Sequence, residues 1–158
     1  MKTQPTDRRR RLLRLTGLLT TALLVMIFLF SAQNAEDSTK ISSGLLERII
    51  QWFSPLVSRL AGREPEFAEL ELYLRKLGHF TEYALLGFFS GWHLSLIPRR
   101  SWGLWAFAFG SLYAATDELH QLLSAGRTAS PVDVCIDASG VLAGLLLLLL
   151  IKRLRRFH

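Results

Sequence analysis

Apolar residues gather into four long stretches of this chain, and polar residues crowd at their edges. The first, residues 12–30, is broken only by Arg14, Thr16, Gly17, Thr20 and Thr21. The second covers residues 77–98, the third 102–115, and the fourth 134–151 once Asp137 is passed. A helix crossing about 30 Å of hydrocarbon needs roughly 20 residues. The 14 residues of the third stretch rise only about 21 Å as a helix. That helix is therefore expected to continue through Asp117 and Glu118. The pattern predicts an all-α, polytopic membrane protein, a bundle of four transmembrane helices at about 12–31, 76–97, 102–122 and 132–151, in one domain covering residues 1–158.

Between the first two spans lies a long polar connection. Within it, about 42–60, Leu45, Ile49, Trp52, Phe53, Leu56, Val57 and Leu60 recur at helical spacing, with Glu47, Arg48, Gln51, Ser58 and Arg59 mostly opposite. Ser42 or Ser43 can cap its start. This predicts an amphipathic helix, suited either to the membrane surface or to packing over the mouth of the bundle. The acidic run that follows carries Phe67, Leu70 and Leu74 at helical spacing and is expected to lead helically into span two. Pro131 suits the first turn of span four.

Charge adds an orientation. Of 19 Lys and Arg, 12 sit in the N-terminal segment, the turn at Arg99 and Arg100, or the C-terminal segment. With four spans these places share one side. The other side holds 12 of the 13 acids, all but Asp7. Basic residues flank the cytoplasmic ends of spans, so both termini are expected in the cytoplasm and the protein in a bacterial inner membrane. The net charge of +6 is then a topology signal with some anionic-lipid contact, and nucleic acid is not an expected partner. The first stretch exceeds the apolar core of a cleaved signal peptide, and no small-x-small site follows it, so it is expected to remain as a helix. Cys135, the single cysteine, excludes an intrachain disulfide and reads as a small filler in the last helix.

Ionisable groups inside spans are costly and are functional candidates. In span two, Lys76, His79, Glu82 and Tyr83 fall within one broad side. In span three, Asp117, His120 and Gln121 share a face with Gly110 and Ala114, and Glu118 flanks it. In span four, Asp133, Asp137, Gly140 and Gly144 form a stripe. Glu82 and Asp137 each stand six residues past the outer start of a span, about 9 Å deep, so these groups share a layer. Gly87 and Gly91, Gly110 and Ala114, and Gly140 and Gly144 read as packing positions that let helices approach. His93 reads as an interfacial histidine.

The polar layer permits several chemistries. His79, Glu82, Asp117, Glu118 and His120 supply oxygen and imidazole donors of the kind that hold Zn²⁺ or a harder ion, without a recognisable metal motif. Paired carboxylates suit general acid or base work. Lys76 and Arg127 suit a phosphate or carboxylate. No serine stands in a nucleophile motif. Catalytic residues, metal and cofactor stay open.

Three segments together resemble the VanZ-like family of small bacterial membrane proteins: FLFSAQNAEDSTKISSGL, LRKLGHFTEYALLGF, and DELHQLLSAGRTASPVDVCIDASGVLAG. The order KxxHFxEY, DExHQ, GR, DxxxDxxG carries the likeness, from about Leu23 to Leu150. A proline usual near GR is replaced in SAGR. The family takes its name from a member associated with teicoplanin resistance. The resemblance implies a cell-envelope role, reduced glycopeptide susceptibility, and a shared set of positions: Lys76, His79, Glu82, Tyr83, Asp117, Glu118, His120, Gln121, Arg127, Asp133 and Asp137. Three functions follow as expectations. The first is an envelope protein whose outward-facing polar site between spans 2, 3 and 4 handles a lipid-linked or cell-wall ligand. The second is an intramembrane hydrolase or metalloenzyme. The third is a structural or partner-binding membrane protein.

Overall fold

The computed structural model describes residues 7–32, 48, 51–60, 62, 66–98, 100–122 and 130–156. Among them the chain is all helical, with no strand. Four long helices form the fold: α1 (Asp7–Ser31), α2 (Phe67–Ser95), α3 (Trp102–Gln121) and α4 (Pro131–Leu154). The acidic run before span two is helical, as its spacing predicts, so α2 begins at Phe67. A capping box of Glu66 and Glu69 starts it. Ser130 caps α4 by accepting the Val132 N–H, with Pro131 in the first turn. α3 runs through Asp117 and Glu118 to Gln121, and its 20 residues rise about 30 Å.

α2 is the hub, packing on α1, α3 and α4, while α1 touches α3 only lightly and does not meet α4. Its deepest contact is with α4. Cβ atoms placed on Gly140 or Gly144 would run into the backbone of Phe80 and Ala84, and one on Gly87 would stand 2.8 Å from Val141 Cα. The two backbones thus touch directly, residue 80 beside 140 and 84 beside 144, so the helices run parallel. Gly110 of α3 receives the Val141 side chain. Tyr83, Leu86, Ala106, Ala114, Val141 and Leu145, joined by Ile27 of α1, make the core.

α1 is held by polar contacts. Arg9 donates to the Leu96 carbonyl through Nε at 2.9 Å and through its guanidinium. Thr16 Oγ1 lies 3.0 Å from His93 Nδ1, and the Tyr113 hydroxyl donates to the Leu24 carbonyl at 2.7 Å. The histidine expected at an interface therefore ties α2 to α1. These contacts set α1 and α3 antiparallel to α2 and α4. Arg9, Leu96, Trp102 and Lys152 meet at one end, where the Lys152 ammonium sits 4.6 Å from the Trp102 ring centroid. Lys76, Asp133, Glu118 and Ser130 meet at the other.

The surface is apolar. Leu18 is 69% exposed, Leu104 70% and Leu112 68%, with further exposed Leu, Val, Phe and Trp on α1, α3 and α4. α1 and α4 are each long and apolar enough to cross a membrane, and only a minority of either apolar window is buried. A core helix of a water-soluble protein would show the reverse. α2 and α3 are mixed in polarity. Cys135 departs from the filler expected of it: it is exposed, because it stands beside the buried Asp137–Gly140 stripe and not on it. Of the expected amphipathic segment, residues 51–60 are helical, with Trp52 86% and Leu60 81% exposed; Ser42, Ser43, Leu45, Glu47 and Ile49 lie outside the described residues.

The glycine contacts predict a contrast between two substitutions. Gly144→Ala forces the α2 and α4 backbones apart and should destabilise the protein by about 1–3 kcal/mol. Gly78→Ala meets nothing within 4 Å and should be neutral or stabilising by up to about 1 kcal/mol through helix propensity. Thermal unfolding in detergent tests both; equal melting temperatures for the two variants would contradict the packing described.

Candidate functional site

The polar side chains singled out from the sequence converge at the acidic end of the helices. The α2–α4 contact brings two pairs into register. Lys76 Nζ donates to Asp133 Oδ1 at 2.9 Å, both about 30% exposed. One turn deeper, His79 Nδ1 stands 3.8 Å from Asp137 Oδ1. Asp137 is fully buried. Tyr83, also fully buried, follows on the same side of α2, and Glu82 is half-buried beside it.

α3 contributes Asp117, Glu118 and Gln121, all buried. The Gln121 amide donates to Asp117 Oδ2 at 3.3 Å. Glu118 Oε2 accepts the backbone N–H of Ser130 at 2.9 Å, so it binds the residue that caps α4. Glu82 and Asp117 lie within electrostatic reach of each other, and Asp137 feels Glu118, Asp117, Asp133 and Glu82. The Tyr83 ring stands 6.4 Å from that of Tyr113, and Asp117 is close to both tyrosines. The result is a layer of carboxylates enclosed by three helices, with two aromatic rings beneath it.

One placement departs from the sequence reading. His120 turns from the face of Asp117 and Gln121 toward α1, its ring centroid 4.5 Å from that of Phe28. It stands three positions after Asp117, a net offset of about 60° around the helix, and that brings it to the neighbouring helix. Glu118, on the flank of that face, is buried within the layer. Lys76 is held by Asp133. Arg127 lies outside the described residues.

Among the described residues no three His, Cys, Asp or Glu side chains come together as a metal site. The turning of His120 toward Phe28 removes one donor from the set the sequence offered. The carboxylates face one another, but their spread does not form a ligand sphere.

Two participants escaped the sequence reading. Tyr113 stands four residues before Asp117, so its place on that face was legible from spacing. Ser130 precedes Pro131 in the usual N-cap position.

No curated protein and no solved structure matches the chain. The family model described as VanZ/LLP1 matches residues 16–152. That interval takes in α1 from Thr16 onward, the whole of α2 and α3, α4 to Lys152, and every described residue of the polar layer. With its apolar outer surface and two membrane-capable helices, this chain is a membrane protein and belongs to the VanZ/LLP1 family.

Proposed function

We propose that this chain is a four-span protein of the bacterial inner membrane, and that its acidic end faces outward as a site for a lipid-linked or cell-wall ligand. The observation that carries the site is Asp137: a carboxylate wholly enclosed among other carboxylates is costly to keep. Protein interiors retain such groups where they serve a ligand or a reaction. All four helices expose large apolar side chains, which supports four spans although α2 and α3 carry charge. The helical segment at residues 51–60 is suited to the outer membrane surface through Trp52, Leu56 and Leu60. Glycopeptide resistance of the teicoplanin type is the family role this reading accommodates, because the drug and the site would meet on the same side of the membrane.

A hydrolase using Glu82 or Glu118 as acid or base is the second reading. The enclosed carboxylate layer supports it; the scattered donors give a metalloenzyme less support. A purely structural role is a third, and Lys76–Asp133 and Glu118–Ser130 are the contacts that favour it.

The orientation predicts both termini in the cytoplasm. A C-terminal green fluorescent fusion should be fluorescent and a C-terminal alkaline phosphatase fusion inactive; the opposite pair of results contradicts it.

The site reading predicts that Glu82→Gln and Glu118→Gln insert normally and stay within about 1 kcal/mol of the parent in stability. Both should lose the lipid-linked molecule retained on gentle purification, read by native mass spectrometry, and lose any teicoplanin phenotype. Destabilisation of about 3–5 kcal/mol, as when a buried pair is broken, favours the structural role. Stable variants with full retention and phenotype remove the site.

A further inference from the structure

Asp137 differs from its neighbours in the layer. Asp133 is bonded by the Lys76 ammonium, Asp117 by the Gln121 amide, and Glu118 by the Ser130 N–H. Neither oxygen of Asp137 has a hydrogen-bond partner among the described residues, and the side chain is 0% exposed. His79 Nδ1 at 3.8 Å is beyond hydrogen-bond distance. Around it stand Glu82, Asp117, Glu118 and Asp133, against the His79 ring and the Lys76 ammonium on Asp133, so the described acids outnumber the bases and an anion is disfavoured here. A dehydrated metal ion needs a closed set of ligands, which these acids do not form. An ammonium group needs only two or three acceptors in separate directions.

The α2–α4 seam gives a direction of entry. Lys76 and Asp133, about 30% exposed, stand at its outer end. His79 and Asp137 follow one turn below, and the Gly140 contact with the Phe80 carbonyl closes the floor. An ammonium already sits on the upper carboxylate of this seam. Building on the ligand-site reading above, we propose that Asp137 is the recognition group for a second one: a primary ammonium, of a lipid headgroup or of a free amine, entering between the outer ends of α2 and α4. Its N–H donors complete the oxygens of Asp137, and its charge offsets the surrounding acids.

The test uses the full chain in phosphatidylglycerol nanodiscs, with melting followed by tryptophan fluorescence. One arm titrates ethanolamine hydrochloride; the other raises the phosphatidylethanolamine content of the discs. Tetramethylammonium chloride and phosphatidylcholine are the counterparts without N–H donors. The melting temperature should rise saturably with the amine and not with its methylated counterpart, and the arm that responds identifies the source. Asp137→Asn should weaken apparent affinity about tenfold or more, the loss of a charge-assisted hydrogen bond. In amine-free discs it should melt no lower than the parent, since it removes a buried charge crowded by other acids. Arg100→Gln, at the opposite end, should leave the response intact. If Asp137→Asn fails to fold, Asp137→Glu keeps the charge, displaces the carboxylate, and should show the same weakening. No shift with either amine, an equal shift with the methylated cations, or unchanged affinity in the folded Asp137 variant overturns the proposal. If the amines fail while a different molecule is retained in a Glu82- and Glu118-dependent way, only the ammonium assignment falls. If nothing is retained and those glutamates are neutral to function, the site reading falls with it.

Discussion

The direct contact of the α2 and α4 backbones at Gly140 and Gly144 organises the rest of the molecule. Helices that bury no water-exposed apolar surface against each other gain little from hydrophobicity inside a membrane, so close approach and polar contacts must hold them. Removing the Cβ atoms lets Gly140 and Gly144 rest on the Phe80 and Ala84 carbonyls. That approach fixes the register of the seam. Lys76 then falls opposite Asp133 and His79 opposite Asp137. A shift of one residue along either helix rotates these groups apart by about 100°.

α3 closes the layer from the third side by a different device. Val141 enters the space above Gly110, and Glu118 reaches over to the first N–H of the α4 cap. An acid at that place also meets the positive end of the α4 dipole. The same side chain thus belongs to the carboxylate layer and to the start of a helix. This overlap explains why neither a wholly structural nor a wholly ligand-directed account suits Glu118 by itself.

Much of this was legible in the sequence, because helical periodicity fixes which residues share a face. The glycine pairs, the stripe Asp133–Asp137–Gly140–Gly144, and the continuation of α3 through two carboxylates all follow from spacing alone. Partners across helices did not follow. Nothing local says that Lys76 meets Asp133, since that pairing depends on the parallel α2–α4 register. His120 was misplaced for a related reason: a residue at the border of a face goes to whichever neighbour is nearer, and the nearer one was α1. Cys135 failed similarly, since a small residue in an apolar helix gives no sign of which side it occupies. Residues 123–129, with Arg127, belong to the family pattern but lie outside the described structure.

The way α1 is attached has its own consequence. It lacks a glycine seam and meets α3 lightly and α4 not at all. Its anchors are side-chain hydrogen bonds at Arg9, Thr16 and the Leu24 carbonyl, with Ile27 set into the shared core. The three helices that carry the carboxylates meet one another without it, and α1 lies mainly against α2. Loosening one of those anchors therefore disturbs a flank of the bundle and leaves the α2–α4 seam in place.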